Sequence, residues 1–128
     1  MKDKILFFSI DRLGDYLIRS NVIYKISKYY KSSEIICSNI NHKLIKKQLF
    51  FDKVHLFDKS KKKLNKIKFI YNFFLKKYDA VITFDGKNIS NILLFLTRAS
   101  FKYTFVYKKK GFLNDLKIKL YCYCLNVF

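Results

Sequence analysis

The feature that most constrains this chain is an alternation. Five short, nearly uninterrupted apolar runs are separated by stretches whose apolar residues recur every three to four positions. The first run, Lys4 to Ile10, contains Ile5, Leu6, Phe7, Phe8 and Ile10 and leaves no polar side for solvent. Such a run reads as a strand buried on both faces. Further strands are expected at Glu34–Cys37, Lys53–Phe57, Tyr78–Phe84 and Tyr103–Tyr107. The intervening spacings predict a first helix facing inward through Leu17, Ile18, Val22, Ile23, Ile26 and Tyr30, and a second over Asn41–Phe50. A long helix should run from about Lys62 to Lys77 through Leu64, Ile67, Ile70, Tyr71 and Phe74. Another should carry Ile89, Ile92, Leu93 and Leu96, and a last one Phe112 to Leu125. Strands that alternate with helices form a parallel sheet covered on both sides, joined by right-handed crossovers. The expected fold class is therefore α/β: a Rossmann-like parallel sheet flanked by helices, as one domain over residues 1–128.

Composition narrows the classes. Apolar residues make up 51% of the 128 positions and include 14 Phe and 10 Tyr, which is core material and not a disordered chain. Gly14, Gly86 and Gly111 stand too far apart for a phosphate-cradling P-loop or a dinucleotide G-x-G-x-x-G turn. Three cysteines, Cys37, Cys122 and Cys124, make no disulfide framework. His42 and His55 have no metal-ligand spacing, so no metal and no cofactor are expected. The apolar run at Ile5–Ile10 is too short for a secretory segment. The longest uncharged stretch, Asn88–Thr97, falls short of the roughly 20 residues that cross a bilayer. A cytoplasmic location follows as the expectation, with a peripheral seat at an inner membrane left open.

The formal charge is +18. Of 27 basic side chains only Arg12, Arg19 and Arg98 are arginine, leaving 24 lysines. Base readout and bidentate phosphate grips lean on arginine, so a nucleic-acid partner is not expected. Lysine rises here together with Ile, Phe, Asn and Tyr, residues that share A/T-rich codons. The excess still attracts anionic bilayers, at about 1 kcal/mol per Lys near such a surface. The densest run, Lys59 to Lys68, also suits a solvated helix start. A lysine-rich module binding anionic lipid or nucleic acid without catalysis is thus the alternative reading.

Polar and glycine residues concentrate just after three expected strands: Asp11-Arg12-Leu13-Gly14-Asp15, Asp85-Gly86-Lys87-Asn88 and Lys108-Lys109-Lys110-Gly111. Ligands of open parallel sheets bind beyond the carboxyl ends of the strands, so these segments form the expected site. Asp15 follows the turn at Gly14 and falls at or near a helix N-terminus. It suits either a helix cap worth about 1 kcal/mol or a general base for a hydroxyl. Asp85 divides in the same way between a cap, with Ser90 as the weaker candidate, and an acceptor for a ligand hydroxyl. Arg12 and Lys87 either hold an anionic group or balance Asp11, Asp15 and Asp85.

These segments resemble a known pattern. A strand, Asp11-Arg12-Leu13-Gly14-Asp15 and an amphipathic helix resemble glycosyltransferase family 9, the lipopolysaccharide heptosyltransferase family. Tyr78 to Gly86, followed by Ser90 and Leu93 to Ala99, is similar to that family's second block, and Asp52–Asp58 to its third-strand region. The resemblance spans essentially the whole chain. It implies the N-terminal, acceptor-binding half of a two-domain GT-B enzyme. It also implies an inverting transfer from a nucleotide sugar to a lipid-linked saccharide, without a metal. Asp15 carries over as the general base. By position, Arg12, Gly14, Asp85, Gly86, Lys87 and Lys108, Lys109 and Lys110 carry over as acceptor-binding residues. Ser20-Asn21 stand where the family usually has a proline. With the chain ending at Phe128, a donor-binding C-terminal domain is expected to be missing or separate, and catalysis by this half alone is not expected.

Overall fold

The computed structural model describes residues 2–58, 63–105 and 126–127, with side chains from 2 to 58 and 67 to 105. Its elements are β1 (Lys2–Ser9), α1 (Leu13–Ser27), β2 (Tyr30–Cys37), α2 (Asn39–Ile45), β3 (Lys53–Leu56), α3 (Lys63–Phe74), β4 (Lys77–Thr83), α4 (Asn88–Leu96), β5 (Arg98–Thr104) and β6 (Asn126–Val127). The strands form one sheet in the order β3-β2-β1-β4-β5-β6. All neighbours are parallel. The α/β, Rossmann-like expectation therefore holds, with an additional edge strand, β6.

The centre of the sheet explains itself from sequence. Alternate residues of a strand point to opposite faces, and β1 is apolar at both parities. Leu6, Phe8 and Ile10 join one buried cluster with Ile36, Phe73, Leu93 and Leu94, under α3 and α4. Ile5 and Phe7 join the other, with Tyr16, Ile23, Ile35 and Ile45, under α1 and α2. Register fixes β1 between its neighbours, with Phe7 opposite Ile35 on β2 and Ile82 on β4.

Several expectations need correction. The inward face of α1 is Tyr16, Ile23 and Ser27; Leu17 and Val22 are about half exposed and Ile18 is 81% exposed. Polar partners decide that face. Arg19 turns in to pair with Asp11, which is buried, and Tyr16 donates its hydroxyl proton to Gln48. A buried carboxylate requires such a partner, so the helix is held by it and not by its most apolar stripe. The first helix also ends at Ser27, and Tyr30 begins β2 instead of closing that helix. In α3 the inward residues are Phe69, Ile70 and Phe73, while Ile67, Tyr71 and Phe74 are exposed. The second helix covers Asn39–Ile45, not Asn41–Phe50. The fifth strand starts at Arg98, five residues before expected, because α4 stops at Leu96. There Thr97 adopts an extended backbone while its N–H and hydroxyl both donate to the Leu93 carbonyl. The terminal helix, Lys108 to Lys110, Cys122, Cys124 and the first part of the Lys59–Lys68 run lie outside the described residues. Among the described residues, no helix is long and apolar enough to cross a membrane.

Candidate functional site

The order in which strands are added reverses between β1 and β4, and open α/β sheets bind ligands at such a switch point. The two loops there are stitched together. Asp85 is buried after β4, and its Oδ2 accepts from the Ile10 backbone N–H at 3.3 Å and from Ser90 Oγ at 2.6 Å. Its Oδ1 accepts from Thr83 Oγ1 and the Lys87 N–H, both at 3.0 Å. Lys87 Nζ returns a hydrogen bond to the Ile10 carbonyl at 3.0 Å. Gly86 has a φ of 58°, the left-handed region in which a Cβ is strained. The acidic turns after the first and fourth strands are thus neighbours on one rim, as the sequence reading required. Asp85→Asn turns an amide toward donors that need an acceptor. It should lower stability by about 1–2 kcal/mol, read as a shift in the urea midpoint.

A cleft of about 410 Å³ opens along this rim. Ile10, Asp11 and Arg12 follow β1; Ser38, Asn39 and Ile40 follow β2; Phe57 and Asp58 follow β3; Lys87 follows β4. Arg12 is exposed at the cleft's edge and is the residue from which α1 starts. Asn39 donates to Asp58 at 3.1 Å. The Asp11 carboxylate accepts from Ser9 Oγ at 2.8 Å and from Arg19. The Asp11 carbonyl accepts from Ser38 Oγ and Asn41 Nδ2. Asn41 Oδ1 is buried without a partner among the described residues. Cys37, at the end of β2, is buried, and burial pushes its thiol up to about 12.

The predicted residues separate. Arg12 and Lys87 line the cleft; Asp85 and Gly86 hold the loop beneath it. Asp15 does not line the cleft. It lies exposed in the first turn of α1, within three residues of Arg12, and no described residue hydrogen-bonds its carboxylate. It is not the helix cap, since that position is Arg12. Gly14 has nothing within 4 Å of the place a Cβ would occupy, so close packing does not demand glycine there. Sequence reasoning passed over Ser38, Asn39 and Asp58, although they follow expected strands and the strand-end rule applied to them equally. His55, for which the sequence shows no metal-ligand spacing, sits 2.8 Å from Glu34.

No protein-family model matches the sequence, and no curated protein matches it either. The fold does have a solved counterpart, E. coli heptosyltransferase WaaC with ADP, with a TM-score of 0.63 at 13% sequence identity. The match covers 98% of this chain and 48% of that one, so the chain spans about half the length of the heptosyltransferase. The shared architecture is an all-parallel Rossmann-like sheet with helices on both faces.

Proposed function

We propose that this chain is the acceptor-side domain of an inverting glycosyltransferase, working with a nucleotide-sugar-binding half. The observation that carries the reading is the cleft at the β1–β4 reversal, polar along its rim and apolar at Ile10 and Phe57, in a fold like half of a heptosyltransferase. Sugar hydroxyls suit the mixed donors and acceptors of Ser38, Asn39 and Asp58, and Arg12 and Lys87 supply positive charge for carboxylate or phosphate groups. Asp15, at the same strand end, is the base that takes the proton from the attacking hydroxyl. A lipid-linked saccharide is the substrate class this arrangement fits.

Binding tests it directly. The chain is titrated with a carboxylate-bearing lipopolysaccharide inner-core oligosaccharide and followed by NMR. Shifts should centre on Arg12, Ser38, Asn39 and Lys87, and Arg12→Ala should weaken binding about tenfold, the value of one charge-assisted contact. Saturable binding that leaves these residues unperturbed, or no binding, overturns the reading.

A further inference from the structure

The amino ends of β4 and β5 carry a pair of charges that the cleft does not use. Lys77 and Arg98 are the first residues of these strands and lie opposite each other in register. Neighbouring strands run about 5 Å apart, so two cations leave the sheet side by side. Like charges placed this way repel. Neither has an ion-pair partner among the described residues. The neighbouring lysines are spoken for. Lys76 Nζ lies 3.5 Å from Glu34, and Lys102 Nζ donates to the Phe95 carbonyl at 2.7 Å, which answers the carboxyl end of α4. None of α3, α4 and β5 contains an Asp or Glu. Asp79, on β4, accepts from the Asp3 and Lys4 backbone N–H groups.

A shallow basin of about 460 Å³ opens beside the two unpaired cations. Phe74, from the last turn of α3, and Phe95, from the last turn of α4, give it an aromatic floor, and each is about half exposed. Ser100 adds an exposed hydroxyl. The basin lies at the opposite ends of the strands from the cleft, about 20 Å away along the seven residues of β4.

We infer that this basin is a second binding site, which takes the phosphate ester of an aromatic group. Lys77 and Arg98 grip the phosphate, whose charge relieves their repulsion. The ring of the ester stacks on Phe74 and Phe95. A bare anion would leave the half-exposed rings in water, and an apolar ligand would leave the two cations repelling; an aromatic phosphate uses both. The site is separate from the sugar-transfer cleft and stands without that reading.

The test is NMR titration of the whole chain with phenyl phosphate, inorganic phosphate and phenol. Phenyl phosphate should give saturable shifts at Lys77 and over Phe95–Lys102. It should bind at least about fivefold more tightly than inorganic phosphate, the value of one ring stacked on an aromatic floor, and phenol should not bind. Lys77→Gln with Arg98→Gln should weaken phenyl phosphate about tenfold. Phe95→Ser should bring phenyl phosphate down to the affinity of inorganic phosphate and leave the latter unchanged. Circular dichroism checks that these variants remain folded, as the exposure of the three side chains predicts. Lys25→Gln with Lys28→Gln on α1 removes the same charge elsewhere and should bind like the native chain. Monomeric dihexanoylphosphatidylglycerol, a phosphate ester with no ring, should bind no better than inorganic phosphate. The site is refuted if phenyl phosphate gives no saturable shifts in the basin or binds no better than inorganic phosphate. It is equally refuted if either basin variant binds unchanged, if the α1 pair loses as much, or if the ringless lipid matches phenyl phosphate.

Discussion

Glu34→Ala should destabilise the domain by about 3–5 kcal/mol, the usual consequence of removing one partner from a buried charged network. Glu34 lies on β2, only 4% exposed, on the side of the sheet that α3 covers. Its Oε2 accepts from Tyr78 Oη at 2.9 Å and His55 Nε2 at 2.8 Å, with Lys76 Nζ at 3.5 Å. Burial alone would raise the carboxyl pKa. The His55 and Tyr78 hydrogen bonds and the Lys76 charge outweigh it and hold the group at about 2, against an ordinary 4.5. A folded pKa below the unfolded one means that its stabilisation is present above pH 4.5 and is lost as pH falls toward 2. The gap corresponds to about 3 kcal/mol. Other carboxylates titrate in the same range, so the informative quantity is a difference. Urea midpoints of the native chain and Glu34→Gln should be far apart at neutral pH and converge toward pH 2. A separation that stays constant across that interval would show that the ionised carboxylate is not what the network stabilises.

How much of this was legible beforehand depends on which interactions are local. The strand runs Ile5–Phe8 and Ala80–Ile82 are buried on both faces, and that demands apolar residues at every position, so sequence alone places them. The turns at Asp11 and Asp85 were visible for the same reason in reverse: charge interrupts hydrocarbon. Helix faces were less legible. The most apolar stripe of α1 faces outward because Arg19 must reach Asp11, a pairing eight residues apart that periodicity does not register. Exposed aromatics on α3 misled in the same way, for Tyr71 and Phe74 carry the correct spacing but are about half exposed. The start of β5 was missed because Arg98-Ala99-Ser100 carries no β-forming signal and is recruited by pairing with β4. The Glu34–His55–Tyr78 cluster joins three strands, and its members come together only through the sheet order. Ser38 and Asn39 were accessible in principle, as polar residues directly after a strand. What hid them was the absence of charge.

Asp15→Ala should leave stability within about 0.5 kcal/mol, as befits an exposed side chain, and should lower sugar transfer about 10²–10⁴-fold, the range for losing a general base. Available lone pairs set Asp15 apart. The first and fourth strand ends contribute three carboxylates: Asp11, Asp15 and Asp85. Asp11 is occupied by Ser9 and Arg19, and Asp85 by four donors that fasten the rim. A carboxylate saturated by protein donors has no oxygen free to receive a proton from a substrate. Asp15 alone of the three has no hydrogen bond from any described residue, and it occupies the first turn of α1, where the helix dipole favours negative charge. The measurement uses the chain combined with the nucleotide-sugar-binding half of the heptosyltransferase whose fold it shares, with that enzyme's nucleotide sugar and an inner-core acceptor. Native chain should support transfer and Asp15→Ala should not, while both bind acceptor equally. Transfer that persists in Asp15→Ala would move the base to another residue. Loss of acceptor binding in the same variant would make Asp15 a binding group instead, because a base that acts only as the new bond forms contributes little to ground-state affinity.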